Sequence, residues 1–351
     1  MLLNPAKLLL LALVSLVPLR AALDAEGDAW KAVLAQKTKA ANLESAAALE
    51  KFMADYPQSP HTAAALVEEA VCWFASGRAA QVLHRSTPEA QKLFDKGLEL
   101  FGRVVSEHAS APEAARARYM QGSSHLFMGQ LELAEADTTA VIEKFASDKV
   151  YLGKALEQRA NLRRNLLQTQ PALADLRRWL KEFGSPPSTL ERLNGQLARA
   201  ELLDKPAPPY QPEVWCSREP APLDSLAGSV IALYFFATWC PHCAEELQFM
   251  RDLEHRYAPQ GVRFVGVVDH SKGQTPDSVR RYLAEKDMPF AVFQDNGATG
   301  FTYHVTATPT LVLIDRAGKV RWCDNPGTLT EWTIGALVRE GLVPETKTVG
   351  K

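Results

Sequence analysis

A proline-rich stretch divides this chain into two segments of different texture. Four prolines fall between Leu202 and Val214, in LLDKPAPPYQPEV. A helix cannot run through such a stretch, because proline lacks the backbone N–H and clashes with the preceding turn. Residues 25–203 are rich in Ala, Leu, Glu and Arg, the composition of helices, whereas apolar runs rich in β-branched residues follow the prolines. The sequence therefore predicts a multidomain chain, with an all-α helical-repeat domain followed by an α/β domain.

The predicted sections follow from this division. They are a signal peptide at 1–22, a helical repeat domain at 25–203, a proline-rich linker at 204–214, an α/β domain at 215–343 and a short tail at 344–351.

The N-terminus has the pattern of an export signal. Lys7 supplies a positive charge, Leu8–Leu19 is an apolar core, and the small residues Ala21 and Ala22 suit cleavage. Arg20, so close to the cleavage position, leaves the exact site open, and an uncleaved membrane anchor is the alternative. We therefore expect an exported protein in a bacterial periplasm or cell envelope, where disulfides form.

Charge and cysteine content exclude two classes of protein. The formal net charge is −2 and no basic cluster stands out, so we expect no nucleic-acid partner. Five cysteines are too few for a disulfide-stapled scaffold.

The helical segment contains an internal repeat. Phe52–Gly77 aligns without gaps on Val104–Gly129, and each copy reads as a helix end, a proline turn, a second helix and a glycine stop. A third, weaker unit runs over Tyr151–Phe183. The pattern resembles the tetratricopeptide-like repeats of envelope proteins, although the extra stretch Arg78–Lys92 makes the spacing longer than that family's usual period of about 34 residues. This resemblance implies a surface that docks a protein partner; a plain helical bundle without a ligand is the alternative.

The second segment reads as one sheet with flanking helices. Apolar or β-branched runs predict strands, Thr275 and Pro276 predict the start of one helix, and the capping-box spacing of Thr328 and Glu331 predicts the start of the last helix. The predicted strands are 230–236, 262–268, 290–293, 310–314 and 319–323.

Two cysteines, Cys240 and Cys243, stand between a buried strand and a helix in FFATWCPHCAEEL. A zinc site needs two further Cys or His ligands at suitable spacing, and none follows. A structural disulfide across so short a loop stabilises little. A redox pair suits the context best, because a helix N-terminus at Cys240 favours the thiolate that attacks disulfides.

Several motifs of this segment together resemble the thioredoxin fold. FFATWCPHCAEEL, VTATPTLVLIDRAGKV and the leader PAPPYQPEV…APLDSLAGSVIALYF are similar to the TlpA/ResA-like branch of extracytoplasmic thiol-disulfide oxidoreductases, within the AhpC/TSA–redoxin superfamily. The resemblance covers most of the α/β domain and none of the helical half.

The resemblance implies roles for the matching positions. Cys240 would be the exposed nucleophile and Cys243 the buried resolving thiol. Pro309 would be a cis-proline that faces this pair. Thr308 would offer its backbone, and Trp239 its ring, to an extended substrate.

Two further residues near the pair would tune it. Glu246 matches the acid of the family's C-x-x-C-x-x-E pattern and would move protons for the resolving thiol, with a solvated helix carboxylate as the alternative. His242, in the Pro-His dipeptide also found in DsbA, would stabilise the thiolate and make the enzyme more oxidising. The chain departs from thioredoxin at Tyr234, where thioredoxin has a buried aspartate, and from the family at Gln248, where a proline is usual.

The remaining cysteines are less informative. Cys216 and Cys323 lie in predicted strands and either pair or remain buried thiols, and Cys72 is expected in the helical core. A peroxidase would need a proline and a threonine placed three residues before its cysteine; Thr238 is only two before Cys240.

The sequence thus predicts a thiol-disulfide oxidoreductase, more as a reductase of protein disulfides than as a DsbA-like oxidase. A repeat scaffold with an accessory thioredoxin-like module is the competing hypothesis. The expected partners are protein disulfides or thiols, a membrane thiol electron donor and a protein on the helical repeats, with no cofactor and no metal. Cytochrome c maturation, thiol repair and envelope assembly all remain open as settings.

Overall fold

The structure, a computed structural model, describes residues 24–37, 43–82, 86–184, 187–217 and 220–340, with the backbone alone for 187–193. The predicted signal peptide and tail lie outside these residues. Within the described ranges, none of the helices is both long enough and apolar enough to cross a bilayer.

Helices fill the described chain up to residue 200. The first, α1, spans 24–37. The others are α2 (Leu43–Asp55), α3 (Thr62–Ala79), α4 (Pro88–Glu107), α5 (Ala114–Phe127), α6 (Leu131–Lys144), α7 (Lys149–Asn165), α8 (Thr169–Phe183) and α9 (Pro187–Ala200).

The two aligned copies are helix–turn–helix pairs, as predicted. The α2–α3 turn contains Pro60 and the α4–α5 turn contains Pro112. Gly129, with φ +76°, follows the end of α5 and acts as a stop. Gly77 does not: α3 continues to Ala79, and a Cβ at Gly77 would lie 2.9 Å from the Phe94 ring. Gly77 is therefore a close-packing position between α3 and α4, and its predicted role as a helix stop is wrong.

The core of the N-terminal helices centres on α3. One side of α3 packs against α2, and Cys72 lies there, fully buried as predicted. The other side packs against α4 and α5 through Leu66, Phe101 and Ala117. The helix-pair arrangement is thus observed, whereas its tetratricopeptide-like character stays a prediction.

A six-stranded mixed sheet forms the α/β part, with the strand order β1-β4-β3-β2-β5-β6. Strands β2, β3 and β4 are parallel, and β1, β5 and β6 run antiparallel to their neighbours. Every residue of β2 is buried, as expected of a central strand covered on both faces. The strands are β1 (Val214–Ser217), β2 (Val230–Phe235), β3 (Val262–Val268), β4 (Ala291–Gln294), β5 (Thr310–Ile314) and β6 (Val320–Asp324).

Four helices accompany this sheet, and two of their starts test the sequence analysis. They are α10 (Pro241–Tyr257), α11 (Pro276–Glu285), α12 (Ala298–Thr302) and α13 (Glu331–Glu340). Thr275 caps α11 as predicted, in a reciprocal capping box with Ser278. The capping box predicted from Thr328 is wrong, because Thr328 belongs to a preceding 3₁₀ turn and Thr330 Oγ1 accepts from the backbone of Thr333 instead.

Backbone contacts divide the chain into two compact units between Tyr151 and Leu152, within the first turn of α7. The linker predicted at 204–214 lies inside the second unit. The predicted boundary and the observed one differ because buried polar contacts join the end of α7 to the sheet. Arg164 of α7 pairs with Asp324 of β6, and Asn165 accepts a hydrogen bond from the Thr330 backbone N–H. Most of α7 and all of α8 and α9 therefore group with the sheet.

Candidate active site

The two cysteines of the motif lie where β2 gives way to α10. Cys240 is the N-cap residue of α10, and Pro241 occupies the first helical position. Cys240 Sγ accepts a hydrogen bond from the Cys243 backbone N–H at 3.3 Å. The sulfur thus stands where unpaired amides and the helix dipole stabilise negative charge, as the sequence indicated.

The two thiols differ in their readiness to ionise. Burial opposes ionisation of Cys240, but hydrogen bonds from the Cys243 thiol and amide outweigh it, so the pKa of Cys240 lies below its usual value. Burial, together with the hydrogen bond to Cys240, raises the pKa of Cys243 to about 12. At neutral pH the pair therefore holds one reactive sulfur and one protonated thiol.

Cys240 is less accessible than expected. It is 6 % exposed, against 2 % for Cys243, so the expectation of an exposed nucleophile needs correction. Part of the cover comes from the loop before β5, since Cys240 Sγ lies 3.6 Å from the Thr308 carbonyl oxygen. The Thr308–Pro309 peptide bond is cis, and the loop that carries it faces the thiol pair.

Trp239 forms a rim beside the thiols. Its ring is 40 % exposed, and its Nε1 donates to Ser271 Oγ at 3.2 Å. Lys272 Nζ lies 3.8 Å from the ring centroid, a cation–π contact. The ring is therefore held in place although it faces solvent.

An open cavity of about 380 Å³ adjoins this rim. Trp239, Phe301 and the loop residues Val305–Thr308 line it, together with Asp269 and Asp295. Phe301 is 85 % exposed, unusual for so large an apolar side chain.

Gln274 anchors the segment before Cys240, and the sequence analysis did not single it out. Its Oε1 accepts from Thr238 N at 2.8 Å and from Thr238 Oγ1 at 2.7 Å. Its Nε2 donates to the Asp269 carbonyl at 3.1 Å, and Gln294 donates to the Gln274 carbonyl at 3.0 Å. Gln274 is 6 % exposed and ties its own loop to the segment before Cys240 and to the end of β4, so only its long-range contacts reveal it.

Behind the pair lie Glu246 and Tyr234. Glu246 is half-buried and follows Cys243 by three residues, on the same face of α10. Burial raises the pKa of Tyr234, and the charges of Cys243 and Glu246 add to this. The Tyr234 hydroxyl is buried and finds no hydrogen-bond partner among the described residues. Tyr234 is thus a largely apolar neighbour of Cys243.

His242 points away from the thiols. Its side chain is 79 % exposed, and its Nδ1 lies 3.1 Å from Glu245 Oε2. The backbone amide of His242, in contrast, helps to lower the pKa of Cys240. The structure therefore assigns the contact at this position to the main chain, not to the ring.

Cys216 and Cys323 do not pair. Cys216 lies in β1 and Cys323 in β6, the two opposite edges of the sheet, and both are buried free thiols. Strands lie about 4.8 Å apart, so four intervening strands place the two cysteines well beyond the roughly 7 Å limit for Cα atoms of a disulfide. The described residues also contain no group of three or more His, Cys, Asp or Glu placed to hold a metal ion.

Comparison with known proteins matches the second part of the chain. Residues 205–323 match the AhpC/TSA family model. The chain is 33 % identical over 99 residues to thiol-disulfide oxidoreductase ResA of Bacillus cereus. This alignment covers 28 % of this chain and 56 % of that protein. It is 32 % identical over 126 residues to thiol:disulfide interchange protein DsbE of Escherichia coli, covering 35 % of this chain and 59 % of that protein. The chain thus spans a little over half the length of these curated relatives.

A solved structure shows a similar match. A thiol:disulfide interchange protein from Chlorobium tepidum aligns with a TM-score of 0.34 and 25 % identity, over 40 % of this chain and 98 % of that one. Residues 205–323 of this chain are thus similar to the AhpC/TSA family, and the proteins that they resemble include ResA and DsbE.

Proposed function

We propose that this protein is a thiol-disulfide oxidoreductase that reduces disulfides in exported proteins. One observation carries the proposal: Cys240 caps α10, with a pKa below its usual value, while Cys243 one turn away stays protonated. This asymmetry gives one sulfur for attack and a second for resolution.

The reaction balances in two exchanges. The Cys240 thiolate attacks one sulfur of a substrate disulfide, a mixed disulfide forms, and the other substrate sulfur leaves as a thiolate that takes a proton. Cys243 then gives up its proton and attacks Cys240 Sγ, which releases the second substrate thiol. The substrate gains two electrons and two protons, and the enzyme is left with a Cys240–Cys243 disulfide.

Surrounding groups support these steps. Glu246, on the same face of α10 as Cys243, would accept the proton that Cys243 must lose. The Thr308 backbone and the Trp239 rim would hold an extended polypeptide beside Cys240. The Thr308 carbonyl already lies at the nucleophile, which favours this placement.

A dithiol donor must restore the reduced enzyme. We place this exchange outside the cytoplasm, with a membrane thiol protein as donor, because of the export pattern at residues 1–22. The names of the relatives, oxidoreductase and interchange protein, are consistent with such exchange. The helix–turn–helix pairs of α2–α5 would dock a protein partner, and their presence keeps a scaffold function as the second candidate.

The direction of electron flow follows from the stability of the thiolate. A DsbA-like oxidase needs strong stabilisation of the reduced form, and the Pro-His dipeptide suggested the His242 ring for that purpose. Because that ring is exposed and pairs with Glu245, this contribution is weak here. The geometry therefore favours a reductase.

Insulin reduction tests the proposal. The full-length protein, supplied with dithiothreitol, should accelerate insulin precipitation, and Cys240→Ser should abolish the acceleration. Equal rates for the two proteins would refute the enzyme and support the scaffold function.

A further inference from the structure

Helix α9 reaches the loop that faces the thiols. Arg199, in the last turn of α9, is 9 % exposed. Its Nη1 donates to the His304 carbonyl oxygen at 3.3 Å and to Thr306 Oγ1 at 3.3 Å. This one guanidinium thus holds both the backbone and a side chain of the segment that leads to Thr308.

The backbone of α9 also lies against this loop. A Cβ at Gly195, one turn before Arg199, would lie 3.5 Å from Thr306 Oγ1 and 3.7 Å from Thr306 Cγ2. Thr306 therefore lies within van der Waals reach of the α9 backbone at Gly195. The contact has an independent second point, so it does not depend on the arginine alone.

The end of α9 is itself fixed to the sheet. The Asp204 N–H donates to the Val320 carbonyl at 2.7 Å, the Val320 N–H donates to the Lys205 carbonyl at 3.0 Å, and the Ala207 N–H donates to the Gly318 carbonyl at 2.8 Å. These bonds extend the β6 edge by a short segment. Arg199 therefore acts from a rigid base rather than from a free helix end.

The loop needs such a brace. His304 has φ +53°, a left-handed conformation that a non-glycine residue adopts at some cost. Thr306 and Ala307 are exposed, so packing against the rest of the domain restrains the loop only in part. The next residue, Thr308, places its carbonyl oxygen 3.6 Å from Cys240 Sγ.

We propose that Arg199 is a positioning residue that holds loop 304–308 in the form that receives a polypeptide disulfide beside Cys240. The inference rests on the proposed function. It gives α9, which lies before the AhpC/TSA domain, a direct part in substrate recognition. A guanidinium suits the task because it stays charged and its donors have fixed directions.

A comparison of two disulfide substrates tests this role in the full-length protein. Insulin needs the loop as an extended-chain contact, whereas the small aromatic disulfide DTNB needs only access to Cys240. For Arg199→Gln we expect kcat/KM for insulin to fall about tenfold, mostly through KM, which corresponds to about 1.4 kcal/mol. We expect the rate with DTNB to stay within about twofold, since the nucleophile itself is untouched.

Two further variants trace the path of the effect. Thr306→Val removes the side-chain acceptor and should reproduce part of the insulin defect. The double variant should be no worse than Arg199→Gln alone, because partners in one interaction are not additive. If Arg199→Gln does not fold, Thr306→Val carries the test by itself, with the same split between insulin and DTNB.

Arg316→Gln is the matched control. Arg316 Nη1 also donates to a main-chain carbonyl of the second unit, that of Gly228 at 3.1 Å, but at the opposite end of β5 from Pro309 and outside the 204–207 segment. The change should leave both activities unchanged.

Three outcomes would overturn the inference: an equal fall on insulin and DTNB, no fall on insulin, or the same split in Arg316→Gln. A wild-type protein without Cys240-dependent activity on either substrate would instead overturn the proposed function.

Discussion

Gln274 offers the sharpest test of how the active-site loop is held. The change Gln274→Leu keeps the volume of a buried side chain but removes its side-chain hydrogen bonds: two from Thr238, one to the Asp269 carbonyl, and two longer ones to Asp269 Oδ1 and Ser271 Oγ. It also leaves the Thr238 N–H without this partner, whereas the Asp269 carbonyl still accepts from Gln294 Nε2 at 3.1 Å. At about 1 kcal/mol for each of the three shorter bonds, the free energy of unfolding should fall by about 3 kcal/mol.

Urea unfolding, followed by fluorescence and circular dichroism, measures this loss. With a slope of about 2 kcal/mol per molar urea, the midpoint should fall by about 1.5 M. Gln274→Glu keeps an acceptor for Thr238 but sets a buried carboxylate oxygen against the Asp269 carbonyl and Asp269 Oδ1, so its midpoint should also fall.

The control for this prediction is Gln248→Leu, at an exposed position of α10. A surface change of this kind should alter stability by no more than about 0.5 kcal/mol. Equal midpoints for Gln274→Leu and Gln248→Leu would refute the view that Gln274 holds the loop before Cys240.

Three further predictions concern the surroundings of the thiols. Tyr234→Phe removes a buried hydroxyl that finds no hydrogen-bond partner among the described residues, so the free energy of unfolding, measured by thermal unfolding, should rise by about 1 kcal/mol. A fall in the free energy of unfolding would show that the hydroxyl is hydrogen-bonded. In the reduced protein, iodoacetamide should modify Cys240 with an ionisation midpoint below that of an ordinary cysteine, while Cys243 stays unmodified until strongly alkaline pH. Mass spectrometry over a pH series measures both, and the reverse order would contradict the assigned roles. Arg164→Met leaves Asp324 without its partner and should cost about 3 kcal/mol in urea unfolding, and an unchanged midpoint would show that α7 does not contribute to the second unit.

Local patterns predicted the sheet and the position of the cysteine pair well. The apolar run before Cys240 predicted β2, Thr275 predicted the start of α11, and both signals are short-range effects of packing and capping. The proline after Cys240 and the apolar periodicity of α10 were sufficient to predict that a helix begins at Cys240.

Contacts between distant segments were beyond such patterns. Gln274 and Arg199 act through bonds to loops far away in sequence, and nothing in their immediate neighbours marks them. The prolines after Leu203 suggested a boundary, but the buried polar groups Arg164 and Asn165 join α7 to the second unit instead. For His242 the motif predicted a ring beside the thiolate. His242 instead lies on the exposed side of α10, where its ring contacts Glu245.

The redox potential tests the direction of electron flow. Because the His242 ring contributes little, we expect a value closer to that of thioredoxin, about −270 mV, than to that of DsbA, and His242→Ala should change it by no more than about 15 mV. Equilibration with glutathione measures both proteins. A wild-type value near about −120 mV, the level of DsbA, would make this protein an oxidase.

A single-turnover experiment tests the central claim most directly. The fully reduced full-length protein is mixed with a peptide that contains one disulfide, quenched with acid and analysed by mass spectrometry. Each enzyme molecule should reduce one peptide disulfide and acquire a bond between Cys240 and Cys243, and Cys243→Ser should stop at a mixed disulfide on Cys240. A peptide disulfide left intact, or a mixed disulfide on any other cysteine, would contradict the account.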